Sequence, residues 1–157
     1  ADGTTREHAG YDGEMIKQAD ANLLGYPLGI VTGREAQLRD LEYYERRIDP
    51  RNGPAMSYSV FAIQYARLGM AEKACEMFRR SYLPTLRPPF GVFAETATSG
   101  NPYFMTGAGG MLQAVLFGFG GLEIMADGLV PRPSVLPPQW ENLRIKINGK
   151  IYQATNQ

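Results

Sequence analysis

Residues 54–68 read Pro54-Ala55-Met56-Ser57-Tyr58-Ser59-Val60-Phe61-Ala62-Ile63-Gln64-Tyr65-Ala66-Arg67-Leu68, with no charge before Arg67. The pattern predicts a helix opened by Pro54, a residue suited to the first turn, and closed by Gly69. A helix that is apolar nearly all round its circumference has to be covered on more than one side. Its sequence neighbours differ in kind. In residues 32–48, Leu38, Leu41, Tyr44 and Ile48 recur at spacings of three and four, opposite charges that alternate in sign. Thr32 is placed as its N-cap, with Glu35 in the first turn. In residues 71–83, Ala74, Met77, Phe78 and Tyr82 face inward, and Glu72, Lys73, Glu76, Arg79 and Arg80 face outward. Apolar inner helices alternating with amphipathic outer ones predict an α/α barrel or toroid. The chain holds too few helical segments to close such a ring alone. Cys75 is expected to be a small buried hydrophobe.

The remaining segments are less regular. Residues 1–14 are polar and turn-rich. Residues 15–26 carry Ile16, Ala19, Leu23 and Leu24 roughly on one face and predict a helix ended by Pro27. Asp49-Pro50-Arg51-Asn52-Gly53 is a turn, and residues 84–89 are an extended, proline-rich connection. Residues 93–119 begin as a polar loop and pass through Thr106-Gly107-Ala108-Gly109-Gly110, where small residues permit tight turns or close backbone approach. They end in an apolar run, residues 111–119, long enough for a short buried helix. After Gly120-Gly121 the period changes. Leu122-Glu123-Ile124 and Leu143-Arg144-Ile145-Lys146-Ile147 alternate as strands do, and Asn148-Gly149 is a two-residue hairpin signal. Residues 122–157 are therefore expected to be β, crossed by a proline-rich stretch at 131–138. The expected division is helical for 1–121 and β for 122–157.

Composition narrows the partners. Basic and acidic residues balance at 16 each, so no broad basic face is implied, and nucleic acid and anionic membrane are poor partners. Hydrophobic content of 44% suffices for a packed core. One cysteine excludes an internal disulfide, which suits a reducing compartment or a periplasmic protein without disulfides. No signal peptide opens the chain, and the lack of an initiator Met suggests processing or a start inside a longer polypeptide. His8 is the lone histidine, so a His-based metal site is not expected, and no cofactor is implied.

From the residues alone, Glu95 admits two readings. It is either an ordinary solvated loop carboxylate, or an acid presented for chemistry by a loop propped against a buried helix. Lys17 and Asp20, three apart, read most simply as a surface ion pair.

Several strings, taken together, resemble glycoside hydrolase family 65. They are Lys17-Gln18-Ala19-Asp20 with Leu23-Leu24-Gly25-Tyr26-Pro27, then Gly53-Pro54-Ala55-Met56-Ser57, then Glu95 followed by the run from Phe104 to Gly118. The likeness lies with the hydrolase branch, of the protein-glucosylgalactosylhydroxylysine glucosidase and kojibiose hydrolase type. It runs from about Tyr11 to Leu143 in the family's order. The resemblance implies the C-terminal third of an enzyme built as an (α/α)6 barrel followed by a C-terminal β-sandwich. It implies cleavage of an α-glucoside with inversion, Glu95 as general base, and Lys17 and Gln18 gripping glucose in the −1 subsite. An ammonium and an amide supply the donors and acceptor that adjacent sugar hydroxyls need. The family's phosphorylase branch holds phosphate on this loop with histidine and hydroxyls. A carboxylate there repels phosphate and can instead deprotonate water. Inversion also needs a second, protonated carboxyl roughly 6.5–9.5 Å from the base. The family's acid lies in an earlier unit absent from this chain, and neither Glu7 nor Glu14 matches it. The acid is therefore expected from an upstream polypeptide that completes the barrel, or the chain is part of a longer one. Three rivals remain at this stage: a phosphorylase with an altered loop, a helical interaction module, and a non-catalytic carbohydrate-binding remnant.

Overall fold

The computed structural model describes residues 2–156. Its helices are α1 (Arg34–Glu45), α2 (Ala55–Arg67), α3 (Ala71–Tyr82) and α4 (Met105–Gln113), the last continued by a π-helical stretch, Ala114–Phe119. Three antiparallel strand pairs accompany them: β1 (Leu86–Arg87) with β2 (Val92–Phe93), β3 (Leu122–Met125) with β4 (Gly128–Pro131), and β5 (Asn142–Ile147) with β6 (Lys150–Thr155). The architecture is mixed, helices joined to small strand pairs.

The core is built around α2. Phe61, Ala62, Ile63, Tyr65 and Ala66 are each no more than 1% exposed, as the uncharged run required. Removing a Phe or Ile side chain from water is worth about 1.5–3 kcal/mol each, so this helix carries much of the hydrophobic drive. α3 and α4 both pack on α2. α3 buries Ala74, Cys75, Met77 and Phe78, while Glu76 and Arg80 pair at 2.8 Å on its outer face. Such exposed pairs contribute under about 1 kcal/mol, so packing rather than charge seats α3.

The glycines of 107–110 lie inside α4, which begins at Met105 rather than at Met111. At Gly107 and Gly110 the demand is close approach, not turning. A Cβ on Gly107 would stand 3.0 Å from Ala55 Cβ, and one on Gly110 would stand 3.0 Å from Ser59 Oγ. Glycine in a helix costs about 1 kcal/mol against alanine, which contact with α2 offsets here.

Residues 15–26 do not form the expected helix. Only Ala21–Leu24 is helical, as a single 3-10 turn. Ahead of it the chain is held by a parallel bridge between Ile16 and Ile48, with the Ile16 N–H donating to the Arg47 carbonyl at 2.8 Å. Ile16, Ala19, Ala21 and Tyr26 are buried all the same. Their spacing therefore reflects how an irregular segment presses on the core, not a helical period. The same bridge ends α1 early: Ile48 is buried beyond the helix, not in its last turn. The cap residue of α1 is Gly33, with no side-chain cap hydrogen bond, so Thr32 does not cap it.

The strand pair β5–β6 turns through Asn148 (φ 49) and Gly149 (φ 80), the left-handed pair that a tight hairpin needs. Strands β1 and β2 had no clear sequence signal, while β4 falls within the stretch 122–157 expected to be β. Beyond β4, Leu136 is 1% exposed and belongs to the helical core. Trp140 stands edge-on to Phe119 and Phe78, with ring centroids 5.4 and 6.0 Å apart. Cys75 is buried on α3, with its Sγ 3.6 Å from Gln139 Oε1. Among the described residues, no helix is long and apolar enough to cross a membrane.

Candidate functional site

The loop between β2 and α4 carries Glu95, and it is fastened at several points. Its carbonyl accepts the Ala55 N–H at 3.1 Å, so the backbone of the acid is tied to the first residue of α2. Thr96 and Ser99 lock the next turn reciprocally: the Thr96 N–H donates to Ser99 Oγ at 3.2 Å, and the Ser99 N–H donates to Thr96 Oγ1 at 3.0 Å. Arg87, at the end of β1, spreads its guanidinium over the loop. Its Nη2 donates to the carbonyls of Thr96 (3.1 Å), Ala97 (2.8 Å) and Ser99 (3.4 Å). Its Nη1 donates to Pro84 O at 2.8 Å. The loop closes where the Phe104 N–H donates to Phe93 O at 2.8 Å, next to Tyr103 at φ 64.

The Glu95 side chain is 30% exposed, and its Oε1 lies 3.5 Å from the ammonium of Lys17. On its other oxygen, Asn101 Nδ2 donates to Oε2 at 3.3 Å, and the Glu95 N–H donates back to Asn101 Oδ1 at 3.2 Å. Lys17 is thus paired with a carboxylate distant in sequence rather than with Asp20. The irregular course of residues 15–20 is what delivers it there.

Gln18 points to neighbouring space. It lines a cavity of about 240 Å³ between residues 18–27, α2 and α4, with Leu23, Met56, Val60 and Ile63 among its walls. It also borders a hollow of about 280 Å³ that Lys17 shares. Ser59 Oγ, on the wall of the first cavity, is buried without a hydrogen-bond partner among the described residues. Such a site is suited to an ordered water or a ligand hydroxyl.

Glu7 is spent on structure. Both of its oxygens accept the Ala21 N–H at 3.2 Å, which caps the 3-10 turn. Burial pushes its carboxyl up, the Ala21 bond opposes that rise, and the nearby Asp20 adds to it. Glu14 faces His8 at 3.7 Å on the surface. Among the described residues, no group of three His, Cys, Asp or Glu stands close enough to hold a metal ion. Chemically, the Glu95 neighbourhood offers a partly exposed carboxylate on a fastened loop, beside an ammonium and an amide. Such a group can accept a proton from water next to donors for hydroxyls.

A kojibiose hydrolase of Mucilaginibacter mallensis is 49% identical over 144 residues, 92% of this chain and 21% of that protein. One from Flavobacterium johnsoniae is 49% identical over 146 residues, with the same shares. A protein-glucosylgalactosylhydroxylysine glucosidase of Dictyostelium discoideum is 42% identical over 150 residues, 96% of this chain and 21% of that protein. Over nearly its whole length the chain is similar to these glycosidases. It spans about a fifth of the length of the curated relatives it matches. No family model matches it.

Sequence reasoning singled out Lys17, Gln18 and Glu95 but passed over Arg87 and Asn101. Arg87 gave no local signal, because the carbonyls it gathers lie nine to twelve residues on. Asn101 had a faint one. An Asn directly before a proline marks a turn in which a short side chain bonds to nearby backbone.

Proposed function

We propose that the complete protein containing this chain is an inverting α-glucosidase acting on α-linked glucosyl disaccharide units, either kojibiose-like or glucosyl-galactose. In this reading residues 1–121 are the C-terminal portion of an (α/α)6 barrel, and residues 122–157 begin a C-terminal β domain. The observation that carries the proposal is the pairing of Glu95 with Lys17 on a loop fastened to the inner helix α2. Identity of 42–49% to named α-glucoside hydrolases adds support.

The steps assigned to this chain are few. Glu95 accepts a proton from a water on the face of the sugar opposite the scissile bond. The water oxygen then forms the new bond to the anomeric carbon while the old glycosidic bond breaks. Lys17 and Gln18 hold glucose hydroxyls in the −1 subsite, which keeps the anomeric carbon in line with that water. The leaving oxygen takes its proton from a general acid supplied outside this chain, since Glu7 is committed to the Ala21 cap. The loop's hydroxyls speak against the phosphorylase alternative. Thr96 and Ser99 accept each other's N–H groups, and Ser99 Oγ donates to Asn101 Oδ1 at 2.7 Å, which leaves them poorly placed to cradle phosphate.

The test is turnover of kojibiose by the complete enzyme carrying Glu95→Gln. The expected result is a fall in kcat of about 10²–10⁴-fold, with sugar binding retained and β-glucose as the first anomer from the unmutated enzyme. Near-normal turnover by the variant, or phosphate-dependent release of glucose 1-phosphate, would overturn the proposal.

A further inference from the structure

We infer that Asn101 is the positioning residue of Glu95, and this rests on the general-base reading above. The partners of the Asn101 amide fix which way it faces. Its Oδ1 receives two donors, the Glu95 N–H at 3.2 Å and Ser99 Oγ at 2.7 Å. Two donors on one atom identify it as the carbonyl oxygen, so the NH2 must face the Glu95 carboxylate, where it meets Oε2 at 3.3 Å. The backbone is restrained as well. Pro102 confines Asn101 to extended conformations, and Tyr103 then takes a left-handed φ of 64. Asn101 therefore grips residue 95 at both ends, its main-chain N–H and its side-chain oxygen.

Lys17 is ion-paired with Oε1 at 3.5 Å and Asn101 donates to Oε2 at 3.3 Å, so each carboxylate oxygen has one partner. Rotation about the last side-chain bond, which is soft in a glutamate, would break both contacts. The lone pairs left free then have a fixed direction. A base that must meet one water in line with one bond gains most from a fixed direction, because an error of about 1 Å in such geometry can cost about 10²-fold in rate.

The discriminating chemistry is the difference between an amide and a carboxylate of the same shape. Asn101→Asp keeps the acceptor that Ser99 and the Glu95 N–H need, but it replaces the donor facing Oε2 with negative charge. Asn101→Ala removes both. If Asn101 served only to fold the loop, Asp would outperform Ala. If it aims the base, Asp is the worse of the two.

The experiment is steady-state hydrolysis of kojibiose by the complete enzyme carrying Asn101→Ala, Asn101→Asp, Glu95→Gln and the Glu95→Gln/Asn101→Ala pair, with thermal melts of each. The expected result is a kcat about 10- to 100-fold lower for Asn101→Ala with KM changed less than about threefold, and lower still for Asn101→Asp. In the Glu95→Gln background, Asn101→Ala is expected to change kcat less than about twofold, since it acts through the group already removed. A wild-type kcat for Asn101→Ala would sink the inference. So would an Asp variant better than Ala, an equal loss in the Glu95→Gln background, or a change confined to KM. A dead Glu95→Gln with unaffected Asn101 variants overturns this inference alone. A fully active Glu95→Gln overturns the general-base reading, and this inference with it.

Discussion

Removing the guanidinium of Arg87 should loosen the Glu95 loop while leaving the helices folded. Two of its hydrogen bonds to the loop are well formed, to Ala97 O at 2.8 Å and to Thr96 O at 3.1 Å, and a third, to Ser99 O at 3.4 Å, is weak. Each well-formed bond has a net worth of about 0.5–1.5 kcal/mol, because water replaces the lost donor. The two of them make roughly 1–3 kcal/mol of stability for the loop. At 1.4 kcal/mol per factor of ten, Arg87→Ala should therefore raise the opening equilibrium of the loop about 5- to 140-fold. The assay is native-state amide exchange at Thr96 and Ser99, whose N–H groups are bonded only within the loop turn. Amides in the middle of α2 serve as the internal reference and should be unchanged. Arg87→Lys should recover only part of the protection, since an ammonium is a point donor that cannot span several carbonyls. Protection at Thr96 and Ser99 within threefold of the parent would refute the reasoning. It would mean that the reciprocal Thr96–Ser99 turn and the Ala55 bond hold the loop unaided.

Two further outcomes follow from the packing. Burial acts to raise the Glu45 carboxyl, but hydrogen bonds from Lys73 and Tyr65, both at 2.6 Å, outweigh it and hold the carboxyl below its ordinary value of 4.5. A carboxyl lowered on folding stabilises above its unfolded pKa, and the contribution is lost as pH falls below about 4.5. Glu45→Gln should lower the urea midpoint at pH 7, at a cost of about 1–3 kcal/mol, and the deficit should shrink by pH 3. A deficit that is equal at both pH values would contradict this. Gly107→Ala should destabilise by about 1–2 kcal/mol despite alanine's better helix propensity. The new methyl would meet Ala55 Cβ and Phe104 Cδ1 at 3.0 Å, and a melting temperature at or above the parent's would contradict that.

How much of this was legible beforehand depended on whether a segment's pattern was decided locally. α3 was legible because burial on one face leaves a helical period, α2 because its uncharged run is bounded by Pro54 and Gly69, and the β5–β6 hairpin because Asn148-Gly149 demands left-handed φ at both positions. Residues 15–20 were not. Ile16 and Ala19 look helical in spacing, yet the bridge to Ile48 holds the backbone open, and nothing near Ile16 encodes a partner that far away. Gly107 and Gly110 left two readings open, a tight turn or a close approach, and the demand they answer is the distance between α4 and α2. At the site, Lys17, Gln18 and Glu95 came from family likeness, not from spacing. That Lys17 meets Glu95 rather than Asp20 is a consequence of the irregular segment that sequence reasoning took for a helix.

The aromatic seam at Trp140 has a practical consequence. It is the sole tryptophan of the chain, and it stands edge-on between Phe119, at the end of the π-helical stretch, and Phe78 on α3. Intrinsic emission excited at the red edge of protein absorption therefore originates at one seam, where the segment after β4 docks on the helices. Far-UV dichroism is weighted toward α1–α4 instead. Superimposable denaturation curves from the two signals would mean that the C-terminal hairpins and the helices melt as one unit. An emission shift that precedes the loss of ellipticity would mean that the strands peel from the helices first, leaving the helical part folded beneath a newly wetted indole.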